Sequence, residues 1–421
     1  VALSASVHAT DYNVTTLEDV VNDNDMVTSL REAVIAANTN TAAGSFLFPV
    51  AAGEQDTDSI SFSVAGTITL TEGPLPIADD LSIDGNNAIT ISGGDASRIF
   101  TVDTTAGVGA NKLVKLSNIT LTNGLAAATE SDEGNGGAIT IAADSVLLLQ
   151  SVTISDSISQ ADAAGEGGGA IFTAGSLTIT DGSLESNSVS GAAGNGGAIF
   201  VADGGSLTAT GTSFTSNSAK RAGGALEVSA NSTVQLTDVS MTDNLAGTNT
   251  DGVITGAPGN GGAIHTTGGT TSINGGFFTD NTAAREGGAL WNNGPATMTI
   301  AASEAGGTSI TANSALGGLS TEDDAVKTTR GGGGVFNRGT MTIADAIIDG
   351  NDASGELGNG GGVMNIIVPD STDPADLSIA NSSILNNTAN RAGGGIENQG
   401  GGSITITTSA IENNAVGTAP G

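Results

Sequence analysis

The sequence predicts an all-β chain folded as a right-handed parallel β-helix of about 12 coils, with a short N-terminal capping helix. Three observations predict it: glycine is abundant, a glycine-rich phrase recurs along the chain, and an asparagine recurs in each repeat. The phrase reads GGAI, GGAL or a close variant, and it starts at positions 136, 168, 196, 223, 261, 287, 333, 361 and 393. Recurrence at such intervals is typical of a solenoid.

Composition excludes the other classes that are rich in glycine. The 64 glycines cluster in pairs instead of occupying every third position, which excludes collagen. Apolar residues make up 38% of the chain and form short regular runs, which disfavours disorder. Aromatic residues make up only 3%, so the core is expected to consist of thin layers of aliphatic side chains. There is no cysteine and no apolar run long enough to span a membrane.

One repeat shows the parts of a predicted coil. Residues 198–201 follow the glycine pair, residues 206–210 follow a second glycine turn, and residues 213–217 follow a third turn. Each segment alternates apolar and polar residues as a half-buried strand does. Three strands and three turns make one coil, which buries its apolar side only when coils stack.

The chain divides into a cap region and a solenoid. Residues 1–57 do not follow the repeat and contain a predicted helix at 29–38, with Thr28 or Ser29 as N-cap and Glu32 in the first turn. Degenerate coils are expected at 58–133 and regular coils at 134–421. The helix is expected to cover the open end of the solenoid.

An asparagine three residues after an apolar residue recurs near the end of each unit. Stacked asparagines can hydrogen-bond along the rod and satisfy the backbone groups of the turn, so we predict a structural ladder. The predicted ladder consists of Asn187, Asn217, Asn244, Asn281, Asn313, Asn351, Asn387 and Asn414.

The formal net charge of −33 excludes whole classes of partner. Nucleic acids and anionic lipids are bound by clustered Lys and Arg, which this chain lacks. The N-terminal residues 1–5, VALSA, include no Met and no basic residue. We therefore expect a mature exported protein from which a signal peptide has been removed. We therefore expect an extracellular protein, secreted or held at the cell surface.

No constellation of residues predicts catalysis. The two histidines, His8 and His265, are far apart in the sequence, which disfavours a histidine-based relay or a zinc site. One acidic run before the predicted helix, Asp19, Asp23 and Asp25, resembles a calcium loop but lacks the glycine and distal glutamate of an EF-hand. The alternatives for this run are a calcium site and a solvated acidic loop; no other cofactor and no enzyme activity are expected.

Two rows of side chains are candidates for binding. Hydroxyl residues recur at the outward position of the middle strand, where they would form a flat ladder; ice-binding solenoids resemble such a surface, although threonine also simply suits an exposed strand. The predicted surface ladder consists of Thr178, Thr208, Thr299, Thr342 and Thr405. Arginines recur beside the glycine pairs and are expected to pair with carboxylates of adjacent coils or to bind an acidic sugar. These arginines are Arg221, Arg285, Arg330 and Arg391.

The motifs resemble two families of bacterial surface proteins. The segment 28–38, TSLREAVIAAN, is similar to the start of CSLREA-type domains, with Thr28 in place of their cysteine. The GGAI and asparagine phrases resemble the repeats of chlamydial polymorphic outer-membrane proteins. The resemblance implies export and surface exposure and implies no reaction.

The sequence therefore favours a non-catalytic structural rod at the cell surface. Since no helix is predicted after the last coil, two explanations are open: the native polypeptide continues, or subunits stack head to tail into a homopolymer or filament, which is the favoured expectation. The alternatives are an adhesin that binds a cell-surface glycan and, less favoured, a polysaccharide lyase or hydrolase.

Overall fold

The computed structural model describes residues 10–22, 24–39, 57–105, 112–129, 133–250, 253–255, 259–317, 330–356, 358–367 and 375–417. Almost all strands among them are short and parallel, and they stack into three long sheets, here called A, B and C. One helix, Leu30–Thr39, lies near the N-terminal end. The prediction of a right-handed parallel β-helix with a short N-terminal helix is confirmed.

Sheet A is the broadest of the three, and most coils contribute two strands to it, joined at a corner. Its strands are Asp11–Val14, Asp58–Phe62, Gly66–Thr69, Leu81–Ser92, Leu113–Thr122, Val146–Gln150, Thr153–Ser155, Ser176–Thr180, Ser183–Glu185, Ser206–Thr210, Ser213–Thr215, Thr233–Thr237, Ser240–Thr242, Thr270–Asn274, Phe277–Thr279, Thr297–Ala301, Thr308–Thr311, Thr340–Ala344, Ala346–Asp349, Asp376–Ala380, Ser383–Leu385, Ser403–Thr407 and Ala410–Glu412. The first strand of sheet A, Asp11–Val14, therefore lies inside the segment 1–57 that the sequence assigns to the cap.

Sheets B and C each take one strand from a coil. The strands of sheet B are Leu75–Ile77, Phe100–Val102, Ile139–Ile141, Ile171–Thr173, Ile199–Val201, Leu226–Val228, Ile264–Thr266, Leu290–Asn292, Val335–Asn337, Val363–Ile366 and Ile396–Gln399. The strands of sheet C are Leu125–Ala126, Ile158–Ser159, Ser188–Val189, Ser218–Ala219, Leu245–Ala246, Thr282–Ala283, Ser314–Ala315, Asp352–Ala353, Thr388–Ala389 and Ala415–Val416. Thr248–Thr250 and Val253–Thr255 pair antiparallel outside these sheets.

The helix lies over the first strands of sheets A and B. It begins with a capping box: the Ser29 hydroxyl accepts from the Glu32 N–H at 3.1 Å, and the Glu32 carboxylate accepts from the Ser29 N–H at 2.9 Å. Leu30, Val34 and Ala37 are buried against the stack. Of the two predicted N-caps, Ser29 has that role. In the part of the chain that the structure describes, no helix has the length and apolarity needed to cross a bilayer.

The two glycines of the repeated phrase are needed for different reasons. The first, Gly196, has φ 64°, in the left-handed region. At the second, a Cβ on Gly197 would come within 2.0 Å of the carbonyl oxygen of the next coil. The pairing of strands also corrects the start of one glycine phrase. Val335 pairs with Leu290, so the glycine pair of that coil starts at Gly332 and not at position 333, which the sequence indicated.

The asparagines of the predicted structural ladder do form a continuous chain of hydrogen bonds. In each step the side-chain amide of one asparagine donates to the side-chain oxygen of the next, at 2.9 to 3.1 Å from Asn187 to Asn414. The amide of Asn244 also donates to the Phe214 carbonyl of the preceding coil at 2.9 Å. All of these side chains except Asn414 are buried, and the hydrogen bonds satisfy their polar atoms, which supports each turn.

A second asparagine ladder lies inside sheet B and was not predicted. Asn292 donates to Asn337 at 2.8 Å, Asn337 to Asn365 at 2.8 Å, and Asn365 to Asn398 at 2.7 Å. All four follow the glycine phrase at the same distance, so alignment of the phrases by register would have found them.

Candidate binding face

The predicted threonine row lies on the outward side of sheet A. Backbone pairing places Thr178 beside Thr208 and Thr299 beside Thr342, in one column that also contains Gln235, Ser272, Ser378 and Thr405. In these strands alternate residues are buried, so the first, third and fifth residues face outward. The predicted ladder is thus the centre of three parallel columns.

We call the outward positions of six consecutive strands, from Ser176–Thr180 to Thr340–Ala344, the hydroxyl face. Of its eighteen positions (six strands with three positions each), fourteen are Ser or Thr, and the others are Gln235, Asn274, Ala301 and Ala344. None is charged, although the chain has a net charge of −33. The acidic residues therefore lie elsewhere, and a broad neutral window is left on a strongly negative rod.

The geometry of the hydroxyl face follows from strand spacing. Neighbouring coils bring side chains to about 4.8 Å from each other along the rod, and alternate residues of a strand are about 7 Å apart across it. Within the described residues, no side chain of the face takes part in a hydrogen bond. Their donors and acceptors are thus directed at solvent in a regular array.

Charged side chains lie near the hydroxyl face on several sides. In the column of Thr178, the uncharged Leu148 precedes the face and Lys115 lies one coil further back. Asp376 follows the face, and Glu185 and Asp349 lie on the adjoining second strands. A hydroxyl group both donates and accepts hydrogen bonds, whereas it needs a neighbouring base to act as a nucleophile. The eighteen positions contain no carboxylate or imidazole, so this arrangement is suited to binding.

The described residues of the acidic run that was predicted to bind calcium accept hydrogen bonds from within the protein. Asp19 accepts from the Arg31 guanidinium at 2.7 and 2.9 Å and from two backbone N–H groups. Burial by itself raises the pKa of Asp19, but these hydrogen bonds outweigh burial and hold the pKa below its usual value. Asp25 accepts from the Val27 N–H at 3.1 Å, and Asp23 lies outside the described residues. Calcium binding here stays a prediction.

The arginines beside the glycine pairs have mixed partners. Arg221 donates to the side-chain oxygen of Asn195 in the preceding coil at 2.8 Å, and Arg391 makes the equivalent contact. Arg330 forms an ion pair with Glu286. Pairing with carboxylates is thus found for Arg330, while two other arginines bind asparagine amides that cap the neighbouring turn.

A second row of outward side chains lies on sheet B and was not predicted from the sequence. We call it the sheet B row: Phe172, Phe200, Glu227, His265, Trp291, Phe336 and Met364. Its rings stack, with centroids 4.3 Å apart for His265 and Trp291 and 6.0 Å apart for Trp291 and Phe336. Each member directly follows the glycine phrase, so that position was the available signal.

The sheet B row contains a buried pair of hydrogen-bonded polar side chains, an imidazole and a carboxylate. His265 Nδ1 lies 2.8 Å from Glu227 Oε2, and Thr267 donates to Glu227 at 2.7 Å. Trp291 donates its indole N–H to Glu286 at 3.0 Å. His265 was expected to lack a catalytic partner because His8 is far away in the sequence; His8 lies outside the described residues, but register gives His265 a carboxylate from the preceding coil.

Comparisons with known proteins give little beyond the fold. No protein-family model and no curated protein matches the chain. Two solved structures of PfbA, a surface adhesin of Streptococcus pneumoniae, are similar to it. One has 12% identity and a TM-score of 0.37, with 98% of this chain and 93% of the chain in that structure covered. The other has 11% identity and a TM-score of 0.35, with 93% and 94% covered. Similarity at this level carries no functional argument.

Proposed function

We propose that the chain is a non-catalytic extracellular surface module whose hydroxyl face binds a neutral polysaccharide. One observation carries the proposal: eighteen neighbouring outward positions are uncharged in a chain of net charge −33. Random placement of the acidic residues would put charges into this window. A neutral ligand loses no charge solvation on such a surface, and sugar hydroxyls match its donors and acceptors.

Electrostatics narrow the class of ligand. The charges that surround the face are mainly carboxylates, so polyuronates and nucleic acids are repelled while uncharged glycans are not. Because the columns run along the stack, a linear polymer gains many weak contacts at once, and effective concentration raises its overall affinity. The resemblance of segment 28–38 and of the glycine phrases to sequence motifs of exported bacterial proteins agrees with a role outside the cell.

Head-to-tail stacking into a filament is the second candidate. It is favoured by exposed apolar side chains in the last described coil, among them Ile406, Ile411 and Val416. It is disfavoured by the helix Leu30–Thr39, which a second copy would have to displace to extend the ladder at the opposite end. Binding on the hydroxyl face is therefore favoured over head-to-tail stacking.

The binding proposal is tested by co-sedimentation with cellulose, chitin and mannan, with polygalacturonate as the acidic comparison. We expect at least one neutral polymer to retain the protein and the acidic polymer not to. Thr299→Glu, at the centre of the face, should weaken binding about tenfold, because a carboxylate must be desolvated under a neutral ligand.

The matched control is Thr282→Glu, which adds the same charge to the outward side of sheet C. Equal losses for both variants, or retention by the acidic polymer alone, would contradict the proposal. Thermal hysteresis measured on the same sample tests ice binding as a separate use of the face.

A further inference from the structure

A second outward column of sheet A carries two exposed apolar residues. It consists of the first outward position of the shorter strands, next to the corner that separates them from the hydroxyl face. Serine is standard there, at Ser183, Ser213, Ser240, Ser309 and Ser383. Phe277 and Ile347 replace it, and 61% and 49% of their surfaces are exposed. Burial therefore does not explain these replacements.

The two residues have a defined spacing. Register places Phe277 beside Ser309, and Ser309 beside Ile347, so exactly one coil separates the apolar residues. Two steps of the ladder place them about 10 Å apart along the rod. This distance is comparable to the length of a disaccharide unit in an extended polysaccharide, and the direction is that of the columns of the hydroxyl face.

A folded-back loop borders Phe277 on the side of the hydroxyl face. Residues 302–307 are an insertion at the corner, and the Ser303 hydroxyl reaches back across two coils to donate to Asp238 at 2.5 Å. A Cβ on Gly275 would come within 2.5 Å of both partners, so the loop packs directly on the glycine pair that precedes Phe277. The loop gives the flat sheet a raised edge at this point.

We propose that Phe277 and Ile347 are the apolar subsites of the polysaccharide site. The inference rests on the proposed function and commits to a neutral glycan chain that runs along the rod. Its sugar rings would pack their apolar C–H faces on Phe277 and Ile347, as ligands do on exposed aromatic and aliphatic anchors. The Asp238–Ser303 pair offers an acceptor to a sugar hydroxyl beside Phe277. Carboxylates near the subsites, such as Asp349, disfavour an acidic sugar.

The test is Phe277→Ser in the full chain, measured by binding isotherms on the neutral polymer that retains the wild type. Serine occupies this column in five other coils, so the variant has the residue that the fold already accepts. We expect binding about tenfold weaker with an unchanged melting temperature, since the apolar contact is lost and no buried contact is. Ile347→Ser should weaken binding by a smaller factor. The control is Val21→Ser, because Val21 is 56% exposed and lies in the N-terminal segment.

Three outcomes would overturn the inference in distinguishable ways. If the wild type binds no polymer, the proposed function fails and the inference with it. If Thr299→Glu abolishes binding while Phe277→Ser binds like the wild type, the hydroxyl face stands and the subsites do not exist. If Val21→Ser weakens binding as much as Phe277→Ser does, the effect is general hydrophobic adsorption. Retention of polymer with a selective loss in Phe277→Ser supports it.

Discussion

The hydroxyl face on sheet A and the sheet B row come from the same coils but differ in side-chain size, in charge and in burial. In the coil that contains both Trp291 and Thr299, Trp291 is 4% exposed, while Thr299 is half-buried on the outward side of its strand. Side chains on the hydroxyl face are small, uncharged and repeated, whereas those of the sheet B row are large, and several of their rings stack. The same coils thus present two different surfaces. The sheet B row is packed like a second core, and the hydroxyl face is accessible to a ligand.

From Phe200 to Met364 the members of the sheet B row are buried as core residues are. Trp291, Phe336, Met364 and Ile366 form an apolar cluster of their own, separate from the interior of the coils. The Arg338 guanidinium lies over the Trp291 ring at 5.6 Å. Loss of a large side chain here should leave a cavity, while loss of a hydroxyl on sheet A should leave only solvent.

The largest expected effect is that of Trp291→Ala. It should lower the free energy of unfolding by about 4 kcal/mol, because a buried ring with stacked neighbours and an indole hydrogen bond is removed. Thr299→Ala in the same coil should change it by less than about 0.5 kcal/mol. Urea denaturation followed by circular dichroism measures both. Similar values for the two variants would break the comparison.

The repeat itself was predictable because its physical causes are local. The glycine pair is required by a left-handed turn and by close approach of the next coil, and both demands recur wherever the chain turns. The asparagine at a fixed distance from an apolar residue likewise indicated the hydrogen-bonded ladder. The helix was expected at 29–38 and lies at Leu30–Thr39, because the capping box is a local signal.

The sheet B row was not predictable in the same way. Glu227 and His265 are 38 residues apart, and only the register across an insertion between two coils brings them together. Nor does the sequence show which outward side chains are covered: Phe277 and Phe336 both stand in strands at outward positions, yet one is exposed and the other buried. Burial of an outward residue depends on neighbours from other coils, which local patterns do not contain.

The hydrogen-bonded pair of Glu227 and His265 in the sheet B row sharpens the comparison. Glu227→Ala should cost about 3 kcal/mol of unfolding free energy, because His265 and Thr267 lose a buried partner. The matched variant is Gln235→Ala, since Gln235 belongs to the same coil but to the hydroxyl face. We expect that variant to unfold like the wild type. An equal loss in both would mean that the two surfaces contribute alike to stability.

The smallest effect on stability should accompany the clearest effect on binding. Thr342→Val keeps the shape of an exposed, β-branched residue and removes one hydroxyl from the face, so its free energy of unfolding should stay within about 0.5 kcal/mol of the wild type. Affinity for the neutral polysaccharide should fall about threefold, because the ligand then leaves a polar group without its partner. Isotherms and urea titrations of one preparation measure both quantities. Because sheet B variants should change stability first and sheet A variants binding first, a Thr342→Val chain that unfolds early and binds normally would reverse the assignment of the two surfaces.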